Sequence, residues 1–457
     1  MSALKGLKII VQKTTNYQNN YLMKLKSLLL WPYIILISTC FLFFNHQDIN
    51  HTFTSSYAFL NGHIADFYEY NKPYFGRNDY LPIMYILFAI WEIPLHVLNL
   101  ASNPENWIAS TPIEIAWSKL LIILFFFSSS ILVNKIATLI QIKKPINKFS
   151  INAIYLTSPI AIFIIFIFSQ YDIFGIFFSL LGVYFYLKKR WSLFLMFFSI
   201  AISFKFFALI IFVPLVLLIE KNIKKIIFSF LIGASFTALQ LLLYWHSEVF
   251  RSDIFFNALT KISHSDVPHL STNLRGFIGV FLYAISCLFF YTKKLKNQKE
   301  INFYTILIPI ISYGIFYLSI GGNPQWKLLI IPYMSLFYIF IKNKKIMAIF
   351  DFIGMISFVW ICVNYWHNNV DYTMINNGIL RSYISTVSFS GRDLMPRHFF
   401  LILFKLIFYA YLFSPLLLYY YEKNLSKIKQ VSSSVFFIRY FLGTCIFLIP
   451  AFVSTLL

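Results

Sequence analysis

Residues 188–225 read KKRWSLFLMFFSIAISFKFFALIIFVPLVLLIEKNIKK, with two apolar runs, 191–204 and 206–219, between two basic clusters. An excess of Lys and Arg marks cytoplasmic loops, so both flanks are predicted to lie inside the cell and the apolar runs to go out and return. Each run has about 14 residues and rises only about 21 Å as a helix, whereas about 20 residues are needed to cross about 30 Å of hydrocarbon. The stretch therefore predicts a short, broken hairpin that carries Lys205 to membrane depth near the outer face.

The rest of the chain is equally apolar. Of its 457 residues, 59% are hydrophobic, 12% are charged and 54 are Phe, against roughly a quarter charged in a soluble domain. A soluble protein of this size lacks the interior to bury so much apolar surface. Soluble enzymes, fibres and disordered tails are excluded, and the net charge of +21 is assigned to cytoplasmic loops and not to nucleic-acid binding.

Basic clusters recur between the apolar runs along the whole chain. If every such cluster is cytoplasmic, the segment between two clusters crosses the membrane an even number of times. The sequence then predicts an all-α, polytopic helix bundle of about thirteen spans in the cytoplasmic membrane, with its N-terminus inside. The predicted spans are 27–44, 115–139, 150–169, 172–187, 191–204, 206–219, 225–245, 275–291, 302–319, 327–341, 346–363, 399–421 and 436–455.

One apolar segment, Tyr80–Leu100, does not fit this count, because as a span it would invert every later basic cluster. It is predicted to be a juxtamembrane helix at the outer leaflet, inside a large first outer loop. The predicted divisions are a cytoplasmic segment 1–26, a transmembrane core 27–245 with the outer loop 45–114, and a C-terminal half 246–457 with outer loops 246–274 and 364–398.

The first candidate for chemistry is Asp48, which lies where the first span is predicted to leave the bilayer. A carboxylate at that interface could take a proton from a sugar hydroxyl that faces a lipid-borne donor. A plain helix cap is the structural alternative for Asp48. A second acid of the same loop, Asp66, is a further catalytic candidate.

Other polar groups are predicted on the same outer face. Short turns carry Gln170 and Asp172 between two spans and Gln325 between two later ones, and Lys205 turns the hairpin. An ionisable side chain at such depth marks a candidate functional site, although Lys205 could also extend to lipid headgroups, Asp172 could cap a helix, and the Gln325 segment could be a plain turn. The loop 364–398 adds three arginines suited to a phosphate or pyrophosphate, with ordinary lipid phosphate as the alternative. These are Arg381, Arg392 and Arg397.

No metal-binding or nucleotide-binding motif is visible in the sequence. The sequence therefore names no cofactor and no metal ligands. It also shows no strong internal repeat, which weakens a secondary-transporter interpretation.

The order of these motifs resembles the GT-C superfamily of integral-membrane glycosyltransferases, which use polyprenyl-phosphate-linked sugars. Asp48-Ile49-Asn50 through Gly62-His63 to Tyr80-Leu81-Pro82 resembles their first catalytic loop. Ser169-Gln170-Tyr171-Asp172 resembles their Gly-Gln-x-Asp turn, with Ser169 in place of Gly. Ala201–Lys205 resembles their Phe-Lys hairpin, and Asn323–Trp326 resembles a late Asn-Pro-Gln-aromatic turn of bacterial members, so that the likeness covers about residues 27–341.

The resemblance implies an inverting transferase with Asp48 as the base and Lys205 on the donor phosphate. The expected partners are a polyprenyl-phosphate-linked sugar, a cell-surface glycan or glycolipid acceptor, and membrane lipid. Many members carry an acidic pair in the first loop. Here the residue after Asp48 is Ile49, so the second acid is missing unless Asp66 supplies it, and a divalent metal stays undecided.

Two other functions remain open at the level of sequence. A flippase or transporter of lipid-linked sugars would bind the same headgroup without chemistry, but it should place polar groups along a transmembrane path. A polysaccharide polymerase would depend more on the arginines of the loop 364–398 than on Asp48.

Overall fold

The computed structural model describes residues 30–76, 78–101, 110–140, 148–256, 272–320, 323–341, 344–365, 375–383 and 399–422. Within these ranges the chain is all helical and contains no strand. The α-helices are α1 Leu30–Phe43, α2 Gln47–Ser55, α3 Tyr57–Leu60, α4 Phe67–Phe75, α5 Pro82–Val97, α6 Pro112–Ile140, α7 Lys148–Leu156, α8 Pro159–Ile162, α9 Ile173–Leu187, α10 Trp191–Phe204, α11 Ala208–Ile219, α12 Ile223–Tyr244, α13 Glu248–Arg251, α14 Thr272–Thr292, α15 Gln298–Ile320, α16 Ile331–Phe337, α17 Lys344–Tyr365 and α18 Phe399–Glu422.

Among the described residues, four stretches are long and apolar enough to cross a membrane: Pro112–Ile140, Ile223–Tyr244, Gln298–Ser319 and Leu403–Tyr420. Shorter apolar helices accompany them, including α1, α5, α9, α10 and α11. The chain thus has the helices of a membrane protein. The count of thirteen spans stays a prediction, and the last predicted span, 436–455, lies outside the described residues.

The two short helices and the break at Lys205 that the sequence predicts are confirmed, although the second helix begins two residues later than predicted. Helix α10 begins at Trp191 and ends at Phe204, α11 begins at Ala208, and Lys205 takes an extended backbone conformation between them. At 1.5 Å per residue these helices are about 21 Å and 18 Å long.

Two predicted spans are not single continuous helices. The segment 150–169 is divided into α7, α8 and a π-helical turn Phe163–Ile167, with a break at Thr157 and Ser158 just before Pro159. The segment 327–341 begins as a 3₁₀ turn, Pro324–Ile330, and continues as α16. Pro159 lies in the first turn of α8, and Pro332 lies in the first turn of α16. Proline lacks an N–H and is accepted mainly in the first turn of a helix, so a new helix begins at each of these positions.

Aromatic side chains form much of the core around α9 and α10. Phe178 of α9 stacks on Phe204 of α10 at 5.4 Å between ring centroids. Gly182 of α9 makes room for this packing, because a Cβ there would lie 2.4 Å from the Phe198 ring. The pair α9–α10 therefore forms a close-packed support for the turns at its ends.

The predicted first outer loop is folded and contains α2 to α5. Helix α6 begins with a reciprocal cap, since Thr111 N–H donates to Glu114 at 2.7 Å and Glu114 N–H donates to the Thr111 hydroxyl at 3.3 Å. Helix α5 is fixed to α6 by Trp91 and Trp117, whose indole N–H groups each donate to the other's carbonyl, at 2.8 and 2.7 Å. The placement of α5 at the outer leaflet stays a prediction.

The predicted outer segments pack on one another. Asn78 N–H donates to Asp253 at 2.9 Å, and Tyr244 donates to the Ile64 carbonyl at 2.6 Å. A small core between the first loop and residues 244–254 is built largely from Phe67, Tyr68, Tyr85 and Phe250. These contacts place the two segments side by side, whereas the side of the membrane on which they lie stays a prediction.

Candidate functional site

Asp48 lies in the first turn of α2, where the positive end of the helix dipole favours a negative side chain. It is not the N-cap of that helix. His46 holds that position, and its Nδ1 accepts a hydrogen bond from the Asp48 N–H at 3.1 Å. Burial lowers the pKa of His46 from 6.5 to about 4, although the charge of Asp48 opposes this change. His46 is therefore neutral near pH 7, as an acceptor at Nδ1 must be.

The Asp48 carboxylate is held by a neutral hydroxyl from a distant part of the chain. Tyr171 donates to Oδ2 of Asp48 at 3.2 Å, and the hydroxyl of Thr52, one turn after Asp48, donates to the Tyr171 oxygen at 2.9 Å. These two bonds orient the carboxylate, and both come from neutral hydroxyl groups.

The turn that carries Tyr171 has an unusual backbone. The π-helical turn Phe163–Ile167 precedes it, and Gln170 N–H closes the segment by donating to the Ile164 carbonyl at 3.0 Å. Ser169 has φ of 62°, in the left-handed region that favours glycine. The resemblance compares Ser169 with a glycine position, and its backbone has the conformation that a glycine adopts most easily. His46 stacks on Phe168 at 4.0 Å, which joins this turn to the start of α2.

Asp172 and Lys205 form a buried ion pair. Asp172 is the N-cap residue of α9, but its side chain makes no capping bond. Instead the Lys205 Nζ lies 2.8 Å from Oδ1 of Asp172, with Asp172 fully buried and the Lys205 side chain 12% exposed. Gly175 leaves room for the Lys205 side chain, because a Cβ there would lie 3.3 Å from the Lys205 Cβ. The side chain thus points into the protein and does not extend to lipid headgroups.

Three aromatic rings surround the Lys205 ammonium group. Its Nζ lies 4.7 Å from the centroid of Tyr80, 5.4 Å from Phe207 and 5.9 Å from Trp326, within the range of cation–π attraction. Tyr80 also contacts Tyr171 edge to face at 5.1 Å. Tyr80 therefore contacts both Lys205 and Tyr171, the tyrosine that donates to Asp48.

The pKa of Tyr80 reflects this position. Burial raises the pKa of its hydroxyl well above the usual range, and the charges of Asp48 and Asp172 raise it further. The phenol is therefore protonated at physiological pH. We refer below to Asp48, Tyr171, Tyr80, Asp172 and Lys205 as the polar cluster.

Two glutamines lie beside the polar cluster. Gln170 is 1% exposed, and among the described residues neither its Oε1 nor its Nε2 has a hydrogen-bond partner. Gln325 precedes Trp326 in the 3₁₀ turn, and its buried Oε1 likewise has no partner in this part of the chain. A buried amide without a partner costs free energy, so both are suited to bind a polar ligand. Next to Gln325, the buried Lys327 lies 3.9 Å over the Tyr317 ring.

The remaining predicted site residues lie elsewhere. Asp66 is 58% exposed and binds His63 at 3.0 Å, with no contact to Asp48 among the described residues. Its catalytic role stays a prediction. Arg381 donates to the Ser110 carbonyl at 2.6 Å, which fixes its segment beside the start of α6. Arg392 and Arg397 lie outside the described residues.

An apolar cavity of about 690 Å³ adjoins the polar cluster. Helices α5, α9, α10 and α12 line it, from Trp191 at one end of α10 to Phe204, the residue before Lys205, at the other. Its lining also includes Ile83, three residues after Tyr80. Ile90 and Phe228 in its wall are 60% and 61% exposed, so the cavity is a groove that opens on the outside of the bundle.

Within the described ranges, no group of three or more His, Cys, Asp or Glu side chains could hold a metal ion. The chain matches no protein-family model, no curated protein and no solved structure in the comparisons made with each.

Sequence reasoning did not give roles to several residues of this site. Tyr171 stood in a quoted motif without a function, and Tyr80 marked only the start of a helix. Their signal was weak, because Tyr occurs 30 times in the chain. Lys119 was also given no role, although it lies near the start of the predicted span 115–139 and an ionisable side chain in an apolar run is itself a signal.

Proposed function

We propose that the protein is an inverting membrane glycosyltransferase that moves a sugar from a polyprenyl-phosphate donor to a cell-surface glycan or lipid-linked acceptor. The observation that carries this proposal is the meeting of a carboxylate and a cation from distant segments. Asp48 accepts a hydrogen bond from Tyr171, Lys205 lies 4.7 Å from the Tyr80 ring, and the two tyrosine rings contact each other. A base such as Asp48 and a cation such as Lys205 in one site suit a displacement at the anomeric carbon of a sugar phosphate.

In the proposed reaction the acceptor hydroxyl attacks the anomeric carbon of the donor sugar. The new bond joins the acceptor oxygen to this carbon, the bond from the carbon to the phosphate oxygen breaks, and the hydroxyl proton passes to Asp48. Polyprenyl phosphate leaves with the bonding electrons. Lys205 stabilises the negative charge that develops on its oxygen, as a fixed cation does best in a site with little water.

The Asp172–Lys205 ion pair adds a condition to this mechanism. Lys205 already has a carboxylate 2.8 Å away, so the donor phosphate must share or replace that partner. Gln170 and Gln325, with unpartnered buried amide atoms, are suited to the sugar hydroxyls. The cavity that ends at Phe204 and Ile83 is suited to the isoprenyl chain, because it is apolar and opens sideways next to the cation.

Reconstitution into vesicles with a panel of polyprenyl-phosphate sugars tests the function directly. Loss of the lipid-linked sugar together with a new glycoside, or slow release of free sugar without acceptor, is expected. The Asp48→Asn protein in the same vesicles is the control for spontaneous hydrolysis. Binding and movement of the donor between leaflets without any bond cleavage would contradict the proposal and favour a flippase.

The proposed side of the membrane is tested separately. A cysteine placed near Asn103 should react with an impermeant thiol reagent from outside, and one near Lys143 should not. The reverse pattern would put Gln170 and Lys205 on the cytoplasmic side. A donor lipid in the outer leaflet would then be excluded as the substrate.

A further inference from the structure

Lys119 in α6 is a fully buried lysine outside the polar cluster. Its Nζ donates to the backbone carbonyls of Phe41 at 2.8 Å, Phe166 at 3.0 Å, and Phe44. An ammonium group has three N–H donors and no acceptor, so these three bonds use its full hydrogen-bonding capacity.

Two of the three carbonyls lie at the end of α1, that of Phe41 in its last turn and that of Phe44 directly after it. The last carbonyls of a helix have no partner within the helix, and a cation there is favoured by the helix dipole. Lys119 binds those of Phe41 and Phe44, while Leu42 accepts from Leu380 N–H at 3.2 Å. Four residues after Phe44 the chain reaches Asp48.

The third carbonyl belongs to the π-helical turn before α9. There Phe163 and Ile164 accept from Phe168 and Gln170 at 2.9 and 3.0 Å, whereas Phe166 accepts from Lys119. Four residues after Phe166 the chain reaches Gln170, and then Tyr171. The same two segments meet again through the His46–Phe168 stack and the Tyr171–Asp48 bond.

We infer that Lys119 is a positioning residue, which sets the distance between Asp48 and the Gln170–Asp172 turn by binding the carbonyls that precede both. A lysine in the membrane interior is costly unless all its N–H groups are bonded. Met at this position would bury as well, so packing alone does not require the charge. The effect on turnover rests on the proposed function, whereas the effect on geometry does not.

The experiment combines two measurements on Lys119→Met, with Lys135→Met as the matched control, since Lys135 lies on the exposed side of the same helix. Amide hydrogen exchange in detergent should speed up in residues 41–52 and 164–172 and stay unchanged in 191–204. For the reconstituted enzyme, kcat should fall about ten- to hundredfold, because a misplacement of about 1 Å can cost that much, while the KM for the polyprenyl-phosphate sugar stays the same. Lys119→Gln keeps two N–H donors, so its exchange rates and its kcat should lie between those of the wild-type protein and those of Lys119→Met.

The outcomes separate the inference from the proposed function. Faster exchange throughout the chain, or an unchanged kcat in both Lys119 variants of an active enzyme, would overturn the positioning role. If Lys119→Met does not fold, the decision passes to Lys119→Gln by the same criteria. An inactive wild-type protein whose Lys119 variants still show the local change in exchange would leave the positioning role standing and reject the transferase.

Discussion

The two charged ends of the polar cluster are held in different ways. Asp48 takes its contact from a neutral phenol, Tyr171, whereas Lys205 faces the fully buried carboxylate of Asp172. A carboxylate bonded by a neutral donor can accept a proton without first leaving a cationic partner. A cation with an anionic partner must exchange or share that partner before it can serve a phosphate. The difference predicts that Asp48 affects turnover alone, whereas Lys205 affects donor binding as well as the departure of the phosphate.

The largest effect is expected at Asp48. Asp48→Asn keeps the size of the side chain but removes its proton affinity, and general-base catalysis contributes typically 10²–10⁴-fold, so transfer should fall by about that factor. Donor affinity should persist, because cations hold the phosphate. Initial rates and donor binding on the same protein check this.

Asp66→Asn is the matched control, since Asp66 lies in the same loop on the exposed surface. It should keep nearly full activity. An active Asp48→Asn protein beside an inactive Asp66→Asn protein would move the base to the Asp66 segment.

The next effect concerns the cation. Lys205→Met combined with Asp172→Asn removes both charges and should weaken donor binding about 10- to 100-fold, from about 1.5–3 kcal/mol for a charge-assisted bond. Lys205→Met alone leaves a buried carboxylate without its partner, which costs up to about 3–5 kcal/mol of folding stability. Titration with the lipid-linked sugar and thermal unfolding in detergent separate the two. Unchanged affinity in the double variant would leave the phosphate to other cations, with Arg381, Arg392 and Arg397 as the next to test.

Tyr171→Phe should lower turnover about three- to tenfold, because it removes one hydrogen bond from the Asp48 carboxylate. If Tyr171 acts through Asp48, the same change in an Asp48→Asn background should have little further effect. A full additional loss in that background would show that Tyr171 contacts the substrate itself.

Parts of this site were predictable from the sequence and other parts were not. Helix α10 lies where the hairpin argument put it, at 191–204, because composition, length and flanking charge all favour the same ends. The meeting of Asp48 with Tyr171, 123 positions apart, has no such signal in a single sequence. The Asp172–Lys205 pair was also missed, since both residues were predicted to face a ligand and not each other.

The Lys119 contacts were beyond sequence reasoning for a different reason. Its partners are backbone carbonyls, which every residue type carries. No residue pattern marks them, and only the fold decides which carbonyls lack a helical partner.

A pH effect is expected at the start of α2. The pKa of His46 is lowered from 6.5 to about 4, so the folded protein keeps it neutral while the unfolded chain takes up a proton. This contribution to the free energy of unfolding is fully present above pH 6.5 and falls as the pH drops towards 4, by up to about 3–4 kcal/mol at 1.36 kcal/mol per pKa unit.

His46→Asn keeps a good N-cap without a titrating group. The difference in unfolding temperature between pH 7 and pH 4.5 should therefore be smaller in the variant than in the wild-type protein. An equal difference in both would assign the pH dependence to other groups.

The smallest effect is expected at Ser169. Since its φ of 62° suits glycine, Ser169→Gly should leave transfer intact and change stability by about 1 kcal/mol or less. Ser169→Val, which is disfavoured at positive φ, should lower stability by about 1–3 kcal/mol. Tolerance of Val as good as that of Gly would show that the turn can change conformation freely.

The Asp172–Lys205 pair also affects how a donor could reach the site. Because its two charges cancel within 2.8 Å, the site exerts little long-range pull on an anion in water, where screening already acts over about 8 Å. A lipid-linked donor that diffuses in the plane of the bilayer does not need that pull. Its capture rate should therefore be almost independent of ionic strength and should follow the two-dimensional density of the lipid in the leaflet.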